Sequence, residues 1–159
     1  MATKLPEYRY GGARTMVLLH EEQLRLLLET WREAQAAKLA LPASDDPSYA
    51  SREVLLAHVL GCAAGYMRWM CEVLQLPDPR IDAAPPPERI EAEADRYLEH
   101  VLERWRSPLA SVPEERFYEP EHLSRWKVKY CVDAMLEHAV MHAIRHRFQL
   151  VERLRAGQA

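Results

Sequence analysis

Seven histidines are spread along the chain, and His138, His142 and His146 recur at four-residue steps within "EHAVMHAIRHRFQL". On an α-helix that step returns a side chain to nearly the same face, so two neighbouring imidazoles can present nitrogens to one small ion. Residues eight apart are separated by about 12 Å of rise, so one ion takes either His138 with His142 or His142 with His146. The apolar stripe of Leu136, Ala139, Val140, Ala143, Leu150, Val151 and Leu154 decides between them. At about 100° per residue, His146 lies beside that stripe, His142 at its seam and His138 nearest solvent. The core-facing pair is His142 and His146, with His138 as a spare or supporting group.

An ion held inside a helix bundle needs a ligand from a second helix. His58 in "VLLAHVLGCAAG" is flanked by Val, Leu, Ala and Gly. It is predicted to be buried, at a cost of about 1 to 3 kcal/mol if nothing satisfies the imidazole. Gly61, Cys62 and Gly65 on the same face leave room for an ion, a water or a substrate. Cys62, one turn after His58, is an alternative ligand, although small buried cysteines also serve as plain core. Each histidine has an ordinary reading too: His58 bonded to a carbonyl in the core, and His142 and His146 as a polar seam. His20, His100 and His122 are placed on the surface, and Met67, Trp69 and Met70 read as packing. Arg147 turns towards the apolar stripe without a role that spacing explains.

Four helical segments must position these groups. The first, about Met16 to Leu39, repeats Val17, Leu24, Leu27, Leu28 and Trp31 at helical steps. After the turn cluster "PASDDPS", Ser51 caps a second helix running to about Leu76, apolar nearly all round. The stiff linker "PDPRIDAAPPPE" leads into a third helix with Pro87 in its first turn, closed by Ser107 and Pro108. Residues 108 to about 130 read as a long, partly structured loop packed on the bundle, and the fourth helix spans roughly Val132 to Arg155. The expectation is a single-domain, all-α four-helix bundle over residues 1–159, loosely ordered over about 1–14 and in the tail 156–159.

Composition sets the class. A chain of 159 residues is long enough to bury one continuous core. Its formal charge of -3 with a pI near 6.2 gives no basic field for nucleic acid or anionic membrane. Three cysteines cannot all pair and form no zinc-ribbon spacing. No signal-peptide core precedes the first helix, and "VLLAHVLGCAAGYM" is short for a membrane span. These features point to the cytoplasm, and a bundle of this size is expected to pair as a homodimer.

A histidine early in the second helix, followed in the last by H-x-x-x-H-R-x-Q-L, resembles the DinB/YfiT-like family of metal-dependent enzymes. The likeness spans nearly the whole chain, including "AHVLG" after a capped start and "MLEHAVMHAIRHRFQL" at the close. It implies a four-helix bundle binding a divalent metal, zinc or nickel, through His58, His142 and His146. Phe148 stands where members often have Gly, which alters clearance near that turn. The resemblance also implies a small-molecule substrate, since some members resemble S-transferases of low-molecular-weight thiols. Three neutral imidazoles leave an open coordination position, suited to a bound water or a thiolate. The absence of an acid between His142 and His146 removes the HExxH arrangement and tilts the expectation from hydrolysis towards thiol transfer. The alternatives are a non-catalytic metal- or ligand-binding stress-response protein, and an interaction module whose histidines are incidental.

Overall fold

The computed structural model describes residues 4–157. Four long helices carry it: α1 (Gly11–Ala36), α2 (Arg52–Val73), α3 (Pro87–Trp105) and α5 (Val132–Ala156). Between α3 and α5 lie a one-turn α4 (Glu115–Tyr118) and a ribbon of β1 (His122–Leu123) and β2 (Lys129–Tyr130). The fold is the all-α bundle that the hydrophobic periodicity requires.

Side-chain pairs fix the helix directions. Gln35, late in α1, donates to Glu53 at the start of α2 and to Glu91 at the start of α3. Arg32 then pairs with Asp95, Arg25 with Glu99, and Arg106 with Glu21. Falling numbers on α1 meet rising numbers on α3, so both α2 and α3 run against α1 and alongside each other. Tyr10, just before α1, donates to Asp133 in the first turn of α5 at 3.3 Å, so α5 runs with α1 and against α2. The order is up-down-down-up. Because α2 and α3 are parallel, the linker between them must travel back along the bundle, and its prolines suit that extended path. Arg68 holds it by donating to the carbonyls of Ile81 and Asp82, and Tyr97 donates to the Asp82 carbonyl at 2.9 Å.

Local signals set most helix ends. Ser51 Oγ accepts from Val54 N at 3.1 Å, and Pro87 opens α3 where its missing N–H costs nothing. α1 and α2 stop three residues before the ends expected from the periodicity, in paired backbone bonds of the Schellman type. Leu39 N donates to Ala34 O and Lys38 N to Gln35 O, while Leu76 N donates to Cys71 O and Gln75 N to Glu72 O. Lys38 and Gln75 carry the left-handed turn, with φ 51° and 57°.

The start of α1 shortens the expected loose segment of about 1–14, of which residues 1–3 lie outside those described. The helix begins at Gly11 rather than Met16, because the Tyr10 ring lies where a Cβ on Gly12 would be, only 2.3 Å away. Tyr10 packs on Phe117 at 4.9 Å and shares a hydrogen bond with the Tyr118 hydroxyl at 2.6 Å, so Gly12 is used for close approach. At the other end α5 continues through Ala156, and residues 158–159 lie outside those described.

The core runs the length of the bundle. Leu24, Leu27, Trp31, Leu56, Leu60, Met67, Ile90, Val101, Trp105 and Leu136 are almost wholly excluded from solvent, and each such side chain stabilises by about 1.5 to 3 kcal/mol. The buried indoles keep their donors satisfied: Trp31 donates to Arg52 O at 2.6 Å and Trp105 to Ala63 O at 3.0 Å. α2 is long and apolar enough to cross a membrane, and here it is packed between the other helices.

Residues 108–130 are more ordered than a loop. β1 and β2 pair antiparallel, His122 opposite Tyr130 and Leu123 opposite Lys129. Lys127 N donates to Ser124 O at 3.0 Å, and Lys127 takes the positive φ of 63° that closes the turn. Trp69 on α2 anchors the ribbon by donating to Leu123 O at 3.2 Å. The turn carries no Gly, Asn or Asp, so the usual hairpin signal is missing from the sequence.

Candidate metal centre

Antiparallel α2 and α5 each bring a pair of residues one turn apart to the same place: His58 with Cys62, and His142 with His146. The ring centroids of His142 and His146 are 4.6 Å apart, those of His58 and His142 5.1 Å, and those of His58 and His146 5.5 Å. The ligand atoms of His58, Cys62 and His142 all lie within 4.8 Å of one another. Cys62 Sγ sits 3.8 Å from His58 Nδ1. The fold therefore gathers the three histidines singled out by spacing and resemblance, and it places Cys62 inside the same cluster. His146 shares the ring cluster, while Cys62 belongs to the tighter grouping of ligand atoms.

Burial separates the histidines differently from the helical wheel. His142 and His146 are equally deep, at 7% and 6% exposed. His58 is half-buried rather than enclosed, because Ala57, Gly61 and Gly65 open α2 onto a cavity of about 650 Å³ beside it. His138 is also half-buried and stacks on Trp126 at 5.3 Å, with Tyr66 and Tyr130 against its edges.

Electrostatics keep these rings neutral. Burial lowers the pKa of His142 to about 3, with His146 and His58 adding to the effect. Burial lowers His146 to about 4, again with help from His58. Burial also pushes His58 and His138 below the usual histidine value. Neutral imidazole is the protonation state that a metal ligand needs. Burial raises the Cys62 thiol, opposed by Tyr66 and Arg125, so without a cation it stays protonated.

One ligand is oriented from behind. His146 Nδ1 lies 3.1 Å from the Tyr49 hydroxyl and 3.1 Å from Gln149 Oε1. Tyr49 donates its own proton to Gln149 Oε1, so both neighbours offer Nδ1 an acceptor, and the proton belongs on Nδ1. The Nε2 lone pair is then free. Asp46 makes this arrangement by capping the single 3₁₀ turn Pro47–Tyr49, accepting from Ser48 N at 2.9 Å. Gln149, three residues after His146, is recognisable from helical spacing. Tyr49 is not, because its contact spans most of the chain.

The donor set fits a divalent ion. His142 makes no hydrogen bond to the protein among the described residues; its ring lines the cavity and faces two further neutral imidazoles, so its nitrogens are left to whatever enters there. No Asp or Glu lines the cavity; its charged residues are Arg125, from the ribbon turn, and Arg145, from α5. Neither arginine stood out in the sequence.

The remaining histidines depart from the surface placement. His20 is buried on α1 and stacks on Trp105 at 3.8 Å, with Nδ1 unpartnered. It falls between Val17 and Leu24 on the apolar stripe, which is the signal for its burial. His100 is half-buried and accepts from Asp82 N at 2.9 Å, tying the linker to α3. His122 is half-buried at the edge of Trp69.

A model of the DinB family matches residues 20–157, from the third turn of α1 to the end of α5. No curated protein sequence matches the chain significantly, and no solved structure does. The matched span contains every residue of the histidine cluster together with Cys62, Tyr49 and Gln149, and the chain belongs to the DinB family.

Proposed function

We propose that the protein is a divalent-metal-dependent transferase of a low-molecular-weight thiol, acting on a small electrophile, with zinc or nickel held by His58, His142 and His146. The observation that carries this reading is the clustering of three neutral imidazoles, two of which, His58 and His142, line a cavity with no carboxylate in its lining. When bound, such an ion lowers the pKa of a coordinated thiol, so that the thiolate persists at neutral pH. A hydrolase would need a base to activate water; no carboxylate lines the cavity, and the one lining imidazole outside the ligand set, His138, is stacked on Trp126. A thiolate is already a nucleophile, and Tyr66, Trp69 and Trp126 give it an apolar, partly dry surround. Tyr49 and Gln149 hold His146 by Nδ1 and leave Nε2 as the unprotonated nitrogen, so the chain supplies orientation as well as ligands.

Cys62 favours a second reading. If its sulfur joins three imidazoles, the ion has four protein ligands and the site is closed, as in a metal-binding or sensing protein without catalysis. Cobalt-substituted protein separates the two. An open site shows a thiolate-to-cobalt absorption band only after thiol is added, whereas a closed site shows it beforehand and loses it in Cys62→Ser. Metal analysis of untagged protein and thiol consumption against a panel of electrophiles complete the test. Protein that holds no metal and consumes no thiol would overturn the transferase reading.

A further inference from the structure

The cavity above the histidine cluster is built for one charge sign. Arg125 and Arg145 line it from two separate elements, the ribbon turn and α5. Elsewhere in the bundle Arg25, Arg32, Arg89, Arg96 and Arg106 each pair with a carboxylate. Among the described residues, Arg125 and Arg145 have neither an ion pair nor a hydrogen bond to the protein. Two unneutralised guanidinium groups converge on a cavity without a single acidic lining residue, in a chain whose formal charge is -3. That distribution focuses a positive potential where the rest of the molecule is acidic.

The walls add a second requirement. Tyr66, Trp69 and Trp126 line the same cavity, with Trp126 placed edge-on to Tyr66 at 6.4 Å. Trp126 is 45% exposed although one indole face is stacked on His138 and the Tyr66 and Tyr130 rings stand across it, so part of the indole stays open beside Arg125. The ribbon turn thus delivers an adjacent cation and indole, Arg125 and Trp126, over the histidines. A volume of about 650 Å³ suits a small organic molecule.

We propose that the cavity selects a substrate with a planar, unsaturated body and a carboxylate, the ring lying against Trp126 and Tyr66 and the carboxylate read by Arg125 and Arg145. This rests on the metal-dependent reading of the same site, because the reacting end of that substrate is the end that faces the histidines. Guanidinium groups bind carboxylates through paired, charge-assisted hydrogen bonds. Arg125 and Arg145 are specificity-determining groups in this scheme, separate from the metal ligands.

The probes are 4-mercaptobenzoate and 4-mercaptobenzamide, whose thiol and second group are too far apart to chelate one ion, with 4-methylbenzoate and 4-methylbenzamide as thiol-free partners. Each is titrated calorimetrically into zinc-loaded and chelator-treated protein. The acid binds about tenfold or more tighter than the amide in the native protein, as hydrogen bonds to charged groups require. In Arg125→Gln/Arg145→Gln the ratio falls to within about twofold while amide affinity is unchanged, because neither substitution removes apolar contact with the ring. Trp126→Ala weakens acid and amide together. Equal affinity for acid and amide in native protein overturns the inference, and so does a preference that survives in the double variant. Failure of the metal reading looks different: zinc is not retained and the thiols lose their advantage over the methyl analogues, while the arginine-dependent preference for the acids persists.

Discussion

His146 Nδ1 and the Tyr49 hydroxyl stand 3.1 Å apart, joining α5 to the 3₁₀ turn that precedes α2. Because Gln149 Oε1 lies 3.1 Å from the same nitrogen, the ring is held by two neighbours, and losing one leaves the other. Tyr49→Phe should therefore lower zinc affinity by about tenfold, at the mild end of what outer hydrogen bonds to metal ligands contribute. Tyr49→Phe combined with Gln149→Leu should cost about a hundredfold, since the tautomer is then unspecified. Competition with a fluorescent zinc chelator measures both, and unchanged affinity in the double variant would show that the pair does not orient a ligand.

The alanine series tests the ligands themselves. His58→Ala, His142→Ala and His146→Ala should each abolish stoichiometric metal, because two imidazoles alone hold a divalent ion weakly. His138→Ala should keep it, since that ring is stacked on Trp126 at 5.3 Å and stands 6.4 Å from His142. Metal lost in His138→Ala and kept in His146→Ala would move the site one turn along α5.

What the sequence discloses here is what local rules encode. The four-residue step of His142 and His146, the Ser51 cap and the Pro87 start are all set within a turn or two of chain, and each is readable from composition and period. What escaped depends on distant partners. Gly11 and Gly12 look like a break until the Tyr10 ring is seen filling the place of a side chain. The ribbon from His122 to Tyr130 lacks turn residues and is pinned instead by Trp69, far away on α2. Arg125, Trp126 and Tyr49 reach the cavity or its ligands only because α2 and α5 are antiparallel, a direction no local pattern states.

Acid stability should reveal His20. Its pKa falls from 6.5 to about 3 through burial, so between those values the unfolded chain binds a proton that the folded chain refuses. The unfolded state then holds more protons, and stability present above pH 6.5 is lost as pH falls towards 3. One such group removes about 2 kcal/mol between pH 7 and pH 5. Urea melts of metal-free protein should show His20→Leu losing less over that interval than the native protein, by about this amount. Parallel losses in the two proteins would mean that His20 titrates normally.

Gly65 tests the cavity without touching a ligand. It lies inside α2, where glycine costs about 1 kcal/mol relative to alanine. A Cβ there meets no atom within 4 Å, so Gly65→Ala should raise stability by about 1 kcal/mol with metal content unchanged. The same open space is part of the cavity lining. Gly65→Leu should therefore keep the helix and the metal while filling room that a small molecule would take, weakening 4-mercaptobenzamide by about tenfold or more through steric exclusion. Metal analysis, thermal melts and the calorimetric titration read the three effects separately. Gly65→Leu that retains metal and still binds the amide at native strength would show that ligands do not occupy the part of the cavity beside α2, and would place their binding nearer the ribbon.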